Sequence, residues 1–120
     1  KTHKSISKCS TDYSRTIKKY FKNKKINFDY FLLGMGIDGH IASLFPNHKN
    51  LFKKFVSKPV VRKDFKRITL SLNVINNSKK ILLWLNNKTK SKIYLKLKKE
   101  GKKIPVNNLN KQVTVVYKIY

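Results

Sequence analysis

The stretch from Phe28 to Pro46 reads FDYFLLGMGIDGHIASLFP. Its apolar run, up to Leu33, is typical of a strand buried on both faces, as in a parallel sheet, and three glycines follow it. Ile41–Phe45 is predicted to form a short helical turn that stops before the proline. A strand, a glycine loop and a helix start, in this order, are where open α/β sheets bind ligands, and backbone N–H groups of such a helix can hold an anion.

The segments on either side of this stretch predict an α/β fold. Before it, Tyr13, Ile17 and Tyr20 recur at helical spacing, so we expect a helix from Ser10, with Ser10 or Thr11 as its cap. After it, the sequence pattern predicts strands at 55–61, 68–72, 81–85 and 113–116, a turn or short helix at 73–78, and a helix at 89–97. Because strands alternate with helices, we expect a Rossmann-like, mostly parallel sheet with flanking helices.

The length of the chain, 120 residues, is enough for one small domain and too short for two. We expect residues 1–9 to be a polar lead-in and residues 10–120 to form a single α/β domain. No apolar run approaches the roughly 20 residues of a membrane span, and no signal peptide is visible. The single Cys9 cannot form an internal disulfide. A reducing, cytoplasmic setting without a membrane partner is therefore expected.

The chain is strongly basic, since 29 lysine and arginine residues stand against five aspartate and glutamate residues, a net charge of +24. Such a field attracts nucleic acid, anionic membranes or phosphorylated metabolites. Only Arg15, Arg62 and Arg67 are arginine, and asparagine and isoleucine are abundant, which is the composition that an AT-rich genome tends to encode. We therefore favour compositional drift over selection for polyanions, and we expect nucleic acid to bind only non-specifically, through charge.

His40 and Asp38 are the candidate catalytic residues. An imidazole can take a proton from water near neutral pH, and a carboxylate two residues earlier can orient it or contact substrate hydroxyls. His3 and His48 have no such context, so we expect both to be surface residues. Ser43 lies outside a Gly-x-Ser-x-Gly elbow and is not a candidate nucleophile. The few scattered acidic residues and the single cysteine predict no metal site.

Gly34, Gly36 and Gly39 match the dinucleotide fingerprint G-x-G-x-x-G. Two features count against a dinucleotide. Asp38 would place a carboxylate beside the bound pyrophosphate, and no acidic residue lies about 20 residues further on to hold a ribose. We therefore predict no dinucleotide cofactor.

Residues 34–46 resemble a family signature. Their pattern, Gly-x-Gly-x-Asp-Gly-His-x-Ala-Ser-Leu-Phe-Pro, is similar to that of the 6-phosphogluconolactonases, in the glucosamine/galactosamine-6-phosphate isomerase superfamily. Residues 66–76 resemble the family's RxTLTLPVINxA segment, and residues 81–85 with Lys90 resemble its strand and TGxxKA turn. Ile104 and Pro105 stand where the family has Leu-Pro, so the likeness covers most of the chain.

The resemblance implies hydrolysis of 6-phospho-D-glucono-1,5-lactone to 6-phosphogluconate, in the pentose phosphate pathway and without a cofactor. It also implies that His40 is the general base and that Asp38 is its neighbour in the site. The residues that it places against the phosphorylated lactone are Gly34, Gly36, Gly39, Arg62, Arg67 and Lys90.

The resemblance covers only the C-terminal half of the family's fold, because the family chain is normally much longer. Nothing in the sequence matches the phosphate loop or the Asp-Glu-Arg segment of the first half. An incomplete sheet leaves an apolar edge or face uncovered. We therefore expect the chain to be marginally stable, to form a homodimer or to need a separate N-terminal half.

Two other functions stay open. A deaminase of the glucosamine-6-phosphate type shares the fold and a similar glycine loop, but its loop continues Ala-Phe-Asn-Glu-Pro, with a glutamate that serves the chemistry. Here residues 42–46 read Ala-Ser-Leu-Phe-Pro. A non-enzymatic nucleic-acid-binding module is supported by the charge and by scattered aromatics such as Tyr20, Phe21 and Tyr94, and no recognisable motif accompanies them.

Overall fold

The computed structural model describes residues 3–110 and 113–117. In chain order, the helices and strands are α1 (Ile6–Tyr20), β1 (Tyr30–Leu33), β2 (Ser57–Val61), β3 (Lys66–Leu70), α2 (Leu72–Asn76), β4 (Lys80–Leu85), α3 (Lys88–Leu97), a 3-10 helix (Pro105–Asn108) and β5 (Val113–Tyr117). None of the helices so described combines the length and the apolar character needed to cross a membrane.

Three strands form a parallel sheet in the order β1–β4–β5, which confirms the α/β class. Leu33 pairs with Leu83, and Leu83 pairs with Val115 across the next strand. Parallel strands align their carboxyl ends, so the residues that follow β1 and β4 emerge at one edge of the sheet. The core on one face of this sheet takes its residues from both strands and helices, including Leu83, Ile75 and Tyr94.

The other face of the parallel sheet is exposed, so the prediction that the first strand is buried on both faces was wrong. Leu33 is 5% exposed, whereas Leu32 is 62%, Trp84 54% and Val116 40% exposed. Side chains alternate between the two faces along a strand, so these three exposed residues share one face. The strand is apolar on both sides, but the described residues cover only one of them.

The strands β2 and β3 form a separate antiparallel hairpin, with Pro59 opposite Ile68. Its turn is closed by the Arg62 backbone N–H, which donates to the Phe65 carbonyl oxygen at 2.9 Å. β3 begins and ends two residues earlier than the predicted strand 68–72. It ends there because Ser71 caps α2, its hydroxyl oxygen accepting from the backbone N–H of Val74.

The helix α1 begins at Ile6, so the predicted start at Ser10 or Thr11 was wrong. The true cap is Ser5, whose hydroxyl oxygen accepts from the Lys8 backbone N–H at 3.2 Å. Residues 6–9 of the expected polar lead-in are therefore helical. The limits 1–9 and 10–120 stay a prediction of domain organisation, and residues 1, 2, 111, 112 and 118–120 within them lie outside the described residues.

Buried serines hold α1 against the hairpin. The Ser57 hydroxyl donates to the Ser10 carbonyl oxygen at 2.8 Å, and the Ser57 backbone N–H donates to the Ser14 hydroxyl oxygen at 3.1 Å. Ser10 and Ser57 are both buried, so the bond between them forms away from water, whereas the bond to Ser14 is partly buried. The contact fixes the position of the hairpin relative to the helix.

Asparagine side chains organise the segment between α3 and β5. The Asn108 amide donates to the carbonyl oxygens of Lys102 and Ile104, at 2.7 and 3.0 Å. The Asn107 amide donates to the Leu97 carbonyl oxygen at 2.8 Å, at the end of α3. These amides add donors to carbonyl groups of the connecting segment, two of which, those of Leu97 and Ile104, also accept from a backbone N–H.

Candidate active site

The glycine loop after β1 leads into a tight turn rather than a helix. The Leu44 N–H donates to the Ile41 carbonyl oxygen at 2.9 Å, and Ala42 has a φ of 50°. The predicted helical turn at Ile41–Phe45 was therefore wrong, and no helix N-terminus at this point offers N–H groups to an anion. Burial of Ile41 and Leu44, at 0% and 1% exposure, pulls both side chains into the core and bends the backbone away from a helical path.

His40 and Asp38 form a hydrogen-bonded pair. The Asp38 Oδ1 lies 2.6 Å from the His40 Nδ1 and 3.1 Å from the His40 backbone nitrogen. Partial burial raises the pKa of Asp38, but the hydrogen bonds from the His40 backbone and ring outweigh it, so the pKa lies below the ordinary value of 3.8. An ionised carboxylate only accepts, so Nδ1 carries the proton and the lone pair of Nε2 is left for a water molecule.

Two of the three glycines are required by the shape of this loop. A Cβ at Gly36 would overlap the His40 ring. Gly39 has a φ of 81°, and a Cβ there would overlap the Ile104 side chain. Gly34 has open space beside it, because it faces the cleft described next.

An open cleft of about 560 Å³ lies at the carboxyl edge of the parallel sheet. Its lining includes Phe31, Leu33, Gly34, Gly36, His40 and Lys90. Lys90 belongs to the first turn of α3, where its backbone N–H donates to the Asn87 side-chain oxygen at 2.8 Å. The structure therefore brings Gly34, Gly36, His40 and Lys90 together, as expected for a binding site at a strand edge.

Arg62 and Arg67 lie on an aromatic pair beside the cleft rather than in its lining. The Arg62 Cζ is 3.9 Å from the centroid of the Phe45 ring, and the Arg67 Cζ is 4.1 Å from that of Phe65. The two rings stack at 5.7 Å. Phe45 in turn lies 4.6 Å from the His40 ring, so Arg62 reaches the site through an aromatic contact.

Sequence reasoning missed three residues of this arrangement. Phe45 and Phe65 contact the predicted site residues, and Asn87 caps the helix that carries Lys90. The Asn87 cap could have been found, because an asparagine three residues before Lys90 fits a helix start. The two phenylalanines are 20 residues apart, and no local pattern brings them together.

A metal site has no support in the part of the chain that the structure describes. No three His, Cys, Asp or Glu side chains of residues 3–110 and 113–117 come close enough together to hold an ion.

Curated relatives resemble most of the chain. A probable 6-phosphogluconolactonase of Arabidopsis thaliana is 34% identical over 91% of this chain and 49% of its own length. A probable chloroplastic 6-phosphogluconolactonase of Oryza sativa is 44% identical over 56% of this chain and 25% of its own. The chain spans about half the length of the first of these relatives, and a smaller share of the second.

Solved structures share the fold, and this chain again covers about half of their length. The 6-phosphogluconolactonase of Thermotoga maritima superposes with a TM-score of 0.76 at 27% identity, over 96% of this chain and 52% of its own. That of Plasmodium vivax gives a TM-score of 0.70 at 26% identity, over 93% of this chain and 52% of its own. The sequence model described as glucosamine-6-phosphate isomerases/6-phosphogluconolactonase matches residues 1–117. The chain belongs to this family.

Proposed function

We propose that the chain is part of an enzyme that hydrolyses 6-phospho-D-glucono-1,5-lactone to 6-phosphogluconate, a step of the pentose phosphate pathway. The observation that carries the proposal is the Asp38–His40 hydrogen bond of 2.6 Å at the cleft. The similarity to named lactonases supports the choice of substrate.

His40 acts as the general base in this proposal. Its Nε2 takes a proton from water while the water oxygen attacks the lactone carbonyl carbon, and a tetrahedral oxyanion forms. When that intermediate collapses, the bond to the ring oxygen breaks and the imidazolium returns its proton to the leaving oxygen. Asp38 holds the imidazole in the tautomer that this requires and stabilises its charged form through the Nδ1 bond.

The cations hold the phosphate. Lys90 lines the same cleft as His40, and Arg62 lies against the Phe45 ring that contacts His40. Arg67 is the second arginine of the aromatic pair. A phosphate dianion attracts all three cations, and the two arginines can bind its oxygens in a bidentate manner. The substrate can approach the backbone at Gly34, since this glycine leaves open space at the cleft.

The deaminase alternative receives less support from the loop. The five residues from Ala42 to Pro46 contain no carboxylate, and the ring of Phe45 packs against the imidazole of His40. A sugar-phosphate isomerisation would need an acid or base at that place. We therefore place the chain on the lactonase side of its family.

The test is the disappearance of freshly made 6-phosphogluconolactone, with spontaneous hydrolysis subtracted. We expect His40→Ala to lower the enzymatic rate by about 10²- to 10⁴-fold, the usual contribution of a general base. His48→Ala is the matched control, because His48 lies outside the lining of the cleft and its Nδ1 accepts a bond from the Asn50 N–H at 3.1 Å. An equal rate in His40→Ala would contradict the proposed role of His40, and no rate above the spontaneous one in the wild-type chain would contradict hydrolysis by this chain alone.

A further inference from the structure

The Phe45 side chain is buried, 4% exposed, and two side chains of the candidate site contact its ring. The His40 imidazole lies 4.6 Å from its centroid, with 38° between the ring planes. The Arg62 guanidinium carbon lies 3.9 Å from the same centroid. The candidate base and a candidate phosphate ligand are therefore in contact with one rigid side chain.

The surroundings of Phe45 fix this ring. The turn that carries it is bonded to the hairpin, since the Ser43 N–H donates to the Thr69 hydroxyl oxygen at 3.1 Å. Phe65, in the hairpin turn beside Arg62, stacks on Phe45 at 5.7 Å. A side chain packed in this way cannot turn without moving its neighbours. A displacement of the hairpin turn is therefore passed to the loop.

The stacked guanidinium keeps its donors for a ligand. A guanidinium that lies on an aromatic face uses that face for packing, and its N–H groups at the edge can bind a phosphate. The imidazole of His40 is restrained on two sides, by the Asp38 bond at Nδ1 and by the ring of Phe45. Phosphate binding at Arg62 and the orientation of His40 therefore depend on the same side chain.

We propose that Phe45 is a positioning residue that couples the general base His40 to the anion-binding Arg62. This inference rests on the function proposed above. The phosphate of the substrate, held at Arg62, then fixes the imidazole so that the water it activates can attack the lactone end of the same molecule. A ligand without a phosphate leaves the imidazole as it is in the free chain.

The test is NMR of the His40 ring protons during a titration with 6-phosphogluconate, with gluconate as the ligand that lacks the phosphate. In the wild type, we expect only 6-phosphogluconate to shift these signals. In Phe45→Leu, we expect the resting His40 signals to change because the ring current is lost. The affinity for 6-phosphogluconate should fall about three- to tenfold, and the His40 response should disappear. Phe55→Leu is the matched control, since Phe55 carries a Lys58 contact at 5.2 Å in the same part of the chain.

A second variant keeps the test decisive if Phe45→Leu does not fold. We expect Arg62→Gln to keep the resting His40 signals and to lose their response to 6-phosphogluconate. No response in the wild type, or an undiminished response in either variant, would overturn the coupling. The readout needs no turnover, so a chain that shows the coupling but hydrolyses no lactone would refute the proposed function alone.

Discussion

The Asp38 carboxyl couples the site to the acid stability of the chain. Its pKa is lowered in the folded chain, because the bonds from His40 outweigh the effect of burial. The unfolded chain therefore binds more protons between the folded and unfolded pKa values, and stability rises with pH there. The contribution is complete above the unfolded value, near 4, and it is lost as the pH falls through the lower folded value.

This predicts a pH-dependent difference between the wild type and Asp38→Asn in urea unfolding. The difference in unfolding free energy should be constant above about pH 5 and should shrink toward about pH 3. Since the Asp38 side chain is 47% exposed, we expect the lost part to be below about 1 kcal/mol. Asp64→Asn, in the exposed hairpin turn, controls for the loss of one negative charge. A difference that grows as the pH falls would contradict this account.

The two left-handed glycines predict a second matched comparison. Gly39 and Gly101 have φ values of 81° and 80°, but only Gly39 is crowded, by Ile104 and Leu97. Gly101→Ala should lower the unfolding free energy by about 1 kcal/mol, the cost of the backbone conformation. Gly39→Ala should lower it by about 3 kcal/mol, since the methyl group also overpacks the core. Urea unfolding of both variants measures the difference, and equal losses would contradict the crowding.

The sequence predicted which residues lie together at the centre of the candidate site better than it predicted the contacts around them. Asp38, His40 and Gly36 are neighbours along the chain, so their spacing alone was enough to bring them together. The contact of Arg62 with Phe45 depends on how a hairpin folds back on a loop. Such a contact is set by tertiary packing, which no local pattern of residues encodes.

The docking of α1 on the hairpin carries a prediction of its own. Ser57→Ala removes the donor to the Ser10 carbonyl oxygen and leaves that buried group without this bond. We expect the unfolding free energy to fall by about 2 kcal/mol, because buried polar groups lose a hydrogen-bond partner. Ser7→Ala, on the exposed side of the same helix, should change it by less than about 0.5 kcal/mol. Equal effects in thermal or urea unfolding would show that the serines do not secure α1.

The helices and strands were also predicted well where the local sequence decides them and poorly where tertiary packing does. The strands predicted at 81–85 and 113–116 were confirmed to within one residue, because their apolar runs are bounded by polar ones. The predicted start of α1 was wrong because Ser5 and Ser10 are both suitable helix caps, and only tertiary packing buries Ser10. The prediction of a helical turn at Ile41–Phe45 was wrong for the same reason, since burial of its apolar side chains overrides a helical pattern.

The exposed face of the parallel sheet decides how the chain behaves in solution. Leu32, Trp84 and Val116 place adjacent apolar surface in water. The solved relatives contain about as much chain again as is present here. We therefore expect the isolated chain to cover this face by self-association, once moderate salt screens its net charge of +24.

Trp84 is the only tryptophan, so its fluorescence reports whether the face is covered. We expect a concentration-dependent blue shift of its emission, together with a rise in mass by light scattering. Leu32→Gln should weaken both effects, whereas Phe52→Gln, which removes an equally exposed ring elsewhere, should not. A chain that stays monomeric with solvent-exposed tryptophan emission at every concentration would contradict this prediction.

The asparagine amides that hold the segment before β5 make this segment sensitive to chemical ageing. Asn108 donates to the carbonyl oxygens of Lys102 and Ile104, and Asn107 donates to that of Leu97. Asparagine is among the residues that degrade most readily with heat and time. Hydrolysis of the side-chain amide, in which water adds and ammonia leaves, would turn each donor into a carboxylate, which only accepts and would face carbonyl oxygens. In an aged sample, the segment that precedes β5 would therefore lose these hydrogen bonds while its backbone is still intact.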